Sequence, residues 1–269
     1  MAKEEQEEIE LTRLNKFISH NSNYSRREAD RIIEEGKVTI NNKPVTNLAT
    51  KVSPEDIVRI GKKLIKEEKN KMYTVIIYNK PKGELVTKND PQGRKIIFDS
   101  LEKKYKHFIP IGRLDYASEG LVLLTDSVDV ANKLMHSKLE RIYKIKVNGP
   151  INPKVEEAMI HGLELEDATT GAHEKSKIKS MNFEPFIAYQ ILTNGQNFSK
   201  IKVAISEGKN RELRRFFGHF GLDVMDLKRF EFGGISLNNL PTGKSRYLTR
   251  DEYRDLRRFL NGNDDWFSI

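Results

Sequence analysis

The chain has 269 residues, with 47 Lys and Arg against 39 Asp and Glu, and no cysteine. Without cysteine there are no disulfides, thiolate nucleophiles or cysteine-ligated zinc, which weighs against RNA methyltransferases that attack through a thiolate. The net charge of +8 understates the basicity of the body, because Glu4, Glu5, Glu7, Glu8 and Glu10 crowd the start and Asp264 and Asp265 the end; a basic body suits a polyanionic partner, or plain solvation, about equally.

The acidic start, residues 1–9, is expected to be flexible. From 10 to 65 the pattern predicts a small module of two short helices followed by strand. Leu11, Leu14, Phe17 and Ile18 fall at helical spacing. Ser25-Arg26-Arg27-Glu28 reads as a capping box, Gly36 as the stop of the second helix, and Asn41-Asn42-Lys43 as a tight turn after Val38 and Ile40. KKLIKEEKNK is charged and lacks apolar periodicity, which predicts a linker over residues 66–72.

A larger domain follows over 73–248. Thr74–Tyr78 predicts a strand ending in the turn Asn79-Lys80-Pro81-Lys82-Gly83. Ile109–Ile111 and Leu121–Leu124 are apolar runs, Val128–Lys138 a helix, and Tyr143–Val147, Ile187–Leu192 and Ile201–Ile205 strands. Arg211–Phe220 predicts a helix with Leu213, Phe216, Phe217 and Phe220 on one stripe. Strands outnumber helices but both are present, so the class is α+β. Residues 249–269 form a C-terminal extension, with Arg254, Arg257 and Arg258 near Trp266 and Phe267. No apolar run approaches membrane-spanning length and the start MAKEEQEEIE lacks a signal-peptide core, so a cytoplasmic protein is expected. No apolar stripe is left over for a partner subunit, which predicts a monomer.

Two stretches carry candidate chemistry. Gly112-Arg113-Leu114-Asp115-Tyr116-Ala117-Ser118-Glu119-Gly120 links two buried-looking strands and places a carboxylate at a sheet edge. Taken alone, an aspartate in a glycine-flanked loop is ordinarily a turn former. In Gly208-Lys209-Asn210-Arg211-Glu212-Leu213-Arg214-Arg215, the helical wheel turns Arg211 and Arg215 away from the buried stripe, towards phosphate or water. Arg214 lies on the flank, where a side chain can lean over a cleft. In the strand from Tyr143, alternation puts Tyr143, Ile145 and Val147 on one face and Lys144 and Lys146 on the other. Tyr143 is a core aromatic or a platform for an unstacked base. Gly243-Lys244-Ser245 lacks the earlier glycine of a P-loop, and the six histidines show no metal-ligand spacing.

Together these stretches resemble the RsuA/RluB group of bacterial ribosomal-RNA pseudouridine synthases, from about Leu11 to about Leu240. Ser25-Arg26-Arg27-Glu28-Ala29 and Gly36-x-Val38-x-Ile40-Asn41 resemble an S-four-type RNA-binding module. The resemblance implies a catalytic domain built on a mixed, mainly antiparallel sheet. It makes Asp115 the essential carboxylate, Tyr143 the residue stacking on the target base and Arg214 the arginine paired with Asp115. Leu227 becomes an apolar pocket wall, with Arg113 beside it. Glu119 adds a negative charge beside the loop, and Glu212 stands where the motif commonly carries Gln. Candidate phosphate contacts are Arg26, Arg27 and Lys37 in the small module, and Lys144, Arg211 and Arg215 in the large domain.

Pseudouridine formation detaches uracil from its sugar and rejoins it through a ring carbon, so the resemblance implies no metal or small-molecule cofactor. The implied partner is ribosomal RNA or a ribosome-assembly intermediate, with the large subunit favoured by the C-terminal extension. A non-catalytic assembly factor on the same scaffold, a small-subunit target and a transfer-RNA target are the competing readings.

Overall fold

The computed structural model describes residues 11–22, 24–66, 72–173 and 176–262. The acidic start, most of the predicted linker, and Trp266 and Phe267 lie outside the described residues. The chain divides into two units between Met72 and Tyr73.

The first unit contains β1 (Thr12–Arg13), α1 (Leu14–Asn21), α2 (Arg26–Glu34), β2 (Val38–Ile40), β3 (Lys43–Val45), β4 (Lys51–Val52), β5 (Val58–Ile60) and β6 (Lys63–Ile65). Local chemistry sets its punctuation. Glu28 N–H donates to Ser25 Oγ at 3.3 Å while Ser25 N–H donates to Glu28 Oε2 at 2.7 Å, so the predicted capping box opens α2. Asn41 and Asn42 adopt φ of 50° and 65°, the pair of left-handed residues that a two-residue hairpin between β2 and β3 requires. Strands β3-β2-β5-β6 form an antiparallel sheet, and β1 pairs with β4. Leu14, Ile18, Ala29, Ile32, Ile33 and Val38 fill the core. Leu11, placed by periodicity on the helical stripe, precedes α1 and is exposed.

The second unit contains β7 (Val75–Lys80), α3 (Ile97–Ser100), β8 (Ile109–Ile111), β9 (Glu119–Thr125), α4 (Val128–Met135), β10 (Arg141–Val147), α5 (Pro153–His161), β11 (Leu163–Leu165) and β12 (Met181–Phe183). It continues with β13 (Ala188–Asn194), β14 (Ser199–Ile205), α6 (Glu212–His219), β15 (Val224–Phe232), β16 (Ile235–Ser236), β17 (Ser245–Tyr247) and α7 (Arg250–Leu260). Among the described residues one sheet runs in the order β13-β14-β10-β15-β9-β7-β17, with β16 added to β15 and β8 to β9. Every pair is antiparallel except β15 with β9, so the sheet is mixed and mainly antiparallel and the class is α+β. At that parallel junction Gly120 faces Arg229 with φ +108°, and a Cβ there would stand 2.2 Å from the Arg229 carbonyl oxygen. Only glycine lets these two strands meet.

One face of the sheet carries Tyr78, Val122, Tyr143, Ile145, Val203 and Leu227, packed against residues of α5 and α6 that include Met159, Leu213, Phe216 and Phe217. On the opposite face, Val75, Ile77, Leu121 and Leu123 pack under Val130 and Leu134 of α4 and Leu256 of α7. The first part of the C-terminal extension therefore packs on the domain. Thr249 caps α7, and the Val75 N–H donates to the Tyr253 hydroxyl at 2.9 Å. A buried leucine such as Leu256 contributes about 1.5–3 kcal/mol to that docking. Two sequence expectations shift: α4 stops at Met135, short of Lys138, and β7 runs on through Asn79 and Lys80, which were expected in the turn. Among the described residues no helix is long and apolar enough to cross a membrane.

Candidate active site

The loop Gly112–Ser118 leaves β8 and returns as β9. Leu114 anchors it in the core, while the Asp115 side chain stays about a third exposed. The fully buried Lys80, at the end of β7, fixes the loop from below: its Nζ donates to the carbonyls of Pro81 at 2.9 Å, Asp115 at 3.2 Å and Ser118 at 2.8 Å.

The start of α6 supplies the opposing charges. Arg214 Nε lies 3.4 Å from Asp115 Oδ2. The rest of that guanidinium is tied down: Nη1 donates to the Val224 carbonyl at 2.9 Å, and Nη2 to Ser118 Oγ at 3.2 Å and the Ala117 carbonyl at 3.4 Å. Nε has no well-aligned hydrogen-bond acceptor, so the carboxylate contact is an ion pair of loose geometry. Burial pushes the Arg214 guanidinium below its usual basicity, and the nearby Asp115 opposes that shift.

Arg211 corrects the helical-wheel expectation. It sits just before α6 with φ 51°, which swings its side chain inward: Nε donates to the Gly171 carbonyl at 2.7 Å, and Nη1 lies 3.6 Å from Asp115 Oδ2. Arg215 corrects it further. It is fully buried and donates to the carbonyls of Asn210, Ala168 and Ile178 and to Ser176 Oγ. With its donors spent on Asn210, Ala168, Ser176 and Ile178, Arg215 is a structural clamp and not a phosphate contact. Lys144 lies on the opposite sheet face from Tyr143, with its ammonium 4.6 Å from the Phe230 ring centre. Glu212 is buried and accepts the Lys209 N–H at 2.8 Å, with its carboxyl raised by burial.

A cavity of about 990 Å³ opens here, and Arg113, Asp115, Tyr143, Arg211, Arg214 and Leu227 all line it. Tyr143 and Leu227 are buried on the adjacent strands β10 and β15. In the first unit Arg26, Arg27 and Lys37 are exposed, with Lys37 Nζ 2.6 Å from Glu35. Among the described residues no group of three or more His, Asp or Glu side chains is placed to hold a metal ion.

Residues 74–219 match the family model described as RNA pseudouridylate synthase, and residues 12–58 match the S4 domain. The chain belongs to the RNA pseudouridine synthase family. An uncharacterized RNA pseudouridine synthase of Helicobacter pylori is 52% identical over 92% of this chain and 94% of its own length. Ribosomal large subunit pseudouridine synthase B of Bacillus subtilis is 36% identical over 96% of this chain and 100% of its own. A solved crystal structure of a pseudouridylate synthase aligns with a TM-score of 0.61 at 26% identity, covering 91% of this chain and 99% of that one.

Within this synthase, sequence reasoning passed over Lys80, Arg141 and Arg229. Strand alternation carries the missing signal, because Lys80 shares the phase of Tyr78, and Arg141 that of Tyr143. Arg141 and Arg229 are buried cavity-lining residues, the first bonded to the Leu139 and Ser206 carbonyls and the second to the Leu121 carbonyl. Lys80 is the most consequential of the three. Burial pulls its ammonium down to about 8, with Glu84 and Asp115 opposing. Lys80→Met is expected to free the Asp115 loop, and in enzymes generally a misplacement of about 1 Å at the site costs on the order of 10²-fold in turnover. Single-turnover assays beside RNA-binding measurements check this: turnover falls and binding persists. The linkage sign is also testable. A lysine depressed to about 8 in the fold gives up its proton before the unfolded chain does. Wild type therefore gains stability relative to Lys80→Met as pH rises from about 8 towards the ordinary lysine value, and loses it again as pH falls through 8.

Proposed function

We propose that this synthase isomerises one uridine of large-subunit ribosomal RNA to pseudouridine, with Asp115 as the essential carboxylate. The observation that carries the reading is the placement of Asp115. Its carboxylate opens into the cavity between two arginines, with Tyr143 and Leu227 on the same wall. The large-subunit assignment is supported by the likeness to the Bacillus subtilis enzyme, whose name carries that substrate.

The target nucleotide leaves its stack at a cost of a few kcal/mol, offset by stacking on Tyr143 and by contacts to flanking RNA. Asp115 then attacks the sugar carbon of the glycosidic bond or takes a proton from the sugar. In either route the bond from sugar to ring nitrogen breaks, uracil rotates, and a bond forms from the same sugar carbon to a ring carbon; in the first route this displaces the Asp115 oxygen from the sugar carbon, and in the second Asp115 returns the proton to the sugar. That ring carbon gives up its proton and the ring nitrogen gains one, so the product is an isomer and no group donor enters the balance. Arg214 and Arg211 supply positive charge that holds the carboxylate in place during the exchange. The S4 unit carries Arg26, Arg27 and Lys37 as phosphate contacts that position RNA without reading its sequence. The enzyme acts as a cytoplasmic monomer in this reading.

The test is site mapping of pseudouridine in unmodified ribosomal RNA after incubation with the purified protein. One new pseudouridine in large-subunit RNA supports the proposal. Modification confined to small-subunit or transfer RNA overturns the substrate, and binding without modification of any of them overturns the reaction.

A further inference from the structure

The sheet face opposite the cavity carries a second charged surface, left open where α4 and α7 do not cover it. Cross-strand register places Lys202 of β14, Lys144 of β10 and Lys228 of β15 directly beside one another in one row. The next row places Lys200 beside Lys146. Neighbouring strands lie roughly 5 Å apart and same-face residues along a strand roughly 7 Å apart, so five lysines form a grid on a pleated plane. Like charges directly opposite on paired strands destabilise a sheet, and here they are stacked across three strands. Local compensation is thin. Lys228 reaches Glu119 only at 4.0 Å, and Asp226, opposite Lys146, is already engaged by Lys82. Glu119 stands beside Lys228 at the end of the first row, and Glu231 lies opposite Ile142 in the row beyond it. Lys144, Lys146, Lys200 and Lys202 make no ion pair with any described residue under 4.0 Å.

The ammonium groups are nonetheless positioned. Lys144 and Lys228 sit over the Phe230 ring at 4.6 and 5.2 Å, and Lys146 and Lys200 over Phe198 at 4.6 and 5.9 Å. Both rings are engaged by cations, so the surface offers fixed positive charge more than a stacking platform for bases. A grid of ordered point charges on an open plane suits an extended polyanion whose phosphates repeat at intervals.

We infer that this lysine face of the catalytic sheet is a second RNA-binding surface, which takes the phosphate backbone of an RNA segment flanking the one that enters the cavity. The inference rests on RNA being the substrate class, and not on the choice of target nucleotide or on the role of Asp115.

The experiment compares wild type with a Lys144→Gln, Lys202→Gln, Lys228→Gln triple variant in the full chain. The probes are a labelled RNA hairpin of arbitrary sequence and unmodified large-subunit ribosomal RNA made in vitro, each titrated over a series of salt concentrations. Each lost phosphate contact removes about 0.7–0.9 from the slope of log affinity against log salt, so the triple variant is expected to show a slope shallower by about 2–3. Its affinity for ribosomal RNA falls at least about tenfold at low salt. The corresponding Lys→Arg triple variant keeps both slope and affinity. A melting temperature of the free Gln variant at or above that of wild type shows that it folds, as expected when opposed like charges are removed. Unchanged slope and affinity in that folded variant overturn the inference. So does a lysine-dependent affinity for poly-glutamate with none for RNA, which would mark the face as a site for an acidic protein. Because the readout is binding, its failure is distinct from failure of the Asp115 assignment, which is read in turnover.

Discussion

Asp115→Asn is expected to abolish pseudouridine formation while the protein stays folded and still binds RNA. The substitution keeps the side-chain shape and removes the charge, so the loop carbonyls held by Lys80 keep their donors, because those bonds run through the Asp115 and Ser118 backbone. In the proposed reaction this removes the group that either attacks the sugar carbon or accepts its proton, and the other described carboxylates lining the cavity are engaged elsewhere, Glu212 by the Lys209 N–H. Asp90 lines the same cavity but is spent on a two-bond pair with Arg94, which holds its carboxyl down near 2. Loss of a positioned acid–base group alone costs about 10²–10⁴-fold, and loss of a nucleophile costs at least as much. The stability change is small by comparison. The ion pairs to Arg214 and Arg211 are 3.4 and 3.6 Å long around a carboxylate that is about a third exposed, so solvent screening limits their contribution to about 1 kcal/mol or less. A thermal melt beside a single-turnover assay separates the two. A large drop in melting temperature with the loss of activity would make Asp115 a structural residue, and retained turnover would remove it from the chemistry.

How far the sequence alone reaches depends on the distance over which each feature is decided. The Ser25 capping box and the Asn41-Asn42 turn are settled within four residues by backbone chemistry, and both form as expected. The alternation of Tyr143, Ile145 and Val147 is equally local, and the strand buries that face. Arg215 is different. A helical wheel gives the direction of a side chain from its own axis, but not what packs there. Ala168 and Ile178, more than thirty residues earlier in the chain, present carbonyls that occupy the guanidinium. The close approach of the chain near Ala168 shows at Gly171, where a Cβ would stand 2.2 Å from the Arg214 carbonyl oxygen. Lys80 misled for the same reason, since a lysine before proline suggests a turn while two of its acceptors lie 35 and 38 residues ahead. Arg211 reaches the site through a left-handed backbone that helical periodicity does not contain. The candidate site was therefore legible through Asp115, Tyr143, Arg214 and Leu227 as motif positions, and illegible in the buried cations that hold it together.

Arg214 is the second residue whose loss is expected to be severe, and the choice of replacement exposes why. Its guanidinium spans β15, the Asp115 loop and the carboxylate at once, through Val224, Ala117, Ser118 and Asp115. A planar fork with several donors makes such a bridge, whereas a lysine supplies one compact charge on a flexible stem. Arg214→Lys therefore keeps a positive charge near Asp115 but loses the ties that set its distance. Turnover is expected to fall on the order of 10²-fold, the scale of a displaced reacting group. Arg214→Ala falls further, because it also leaves Ser118 Oγ and two carbonyls without a donor in a partly dry site. Arg211→Ala is milder on both counts: its ion pair is longer, and its Nε is committed to the Gly171 carbonyl. The diagnostic is the split between kcat and KM on a fixed RNA, with guanidinium ion added back to Arg214→Ala. A fall carried by kcat and partly restored by guanidinium identifies Arg214 as the residue that positions the carboxylate. A fall carried by KM alone, indifferent to guanidinium, would instead make it an ordinary RNA contact, and an Arg214→Lys enzyme as fast as wild type would show that charge without geometry is enough.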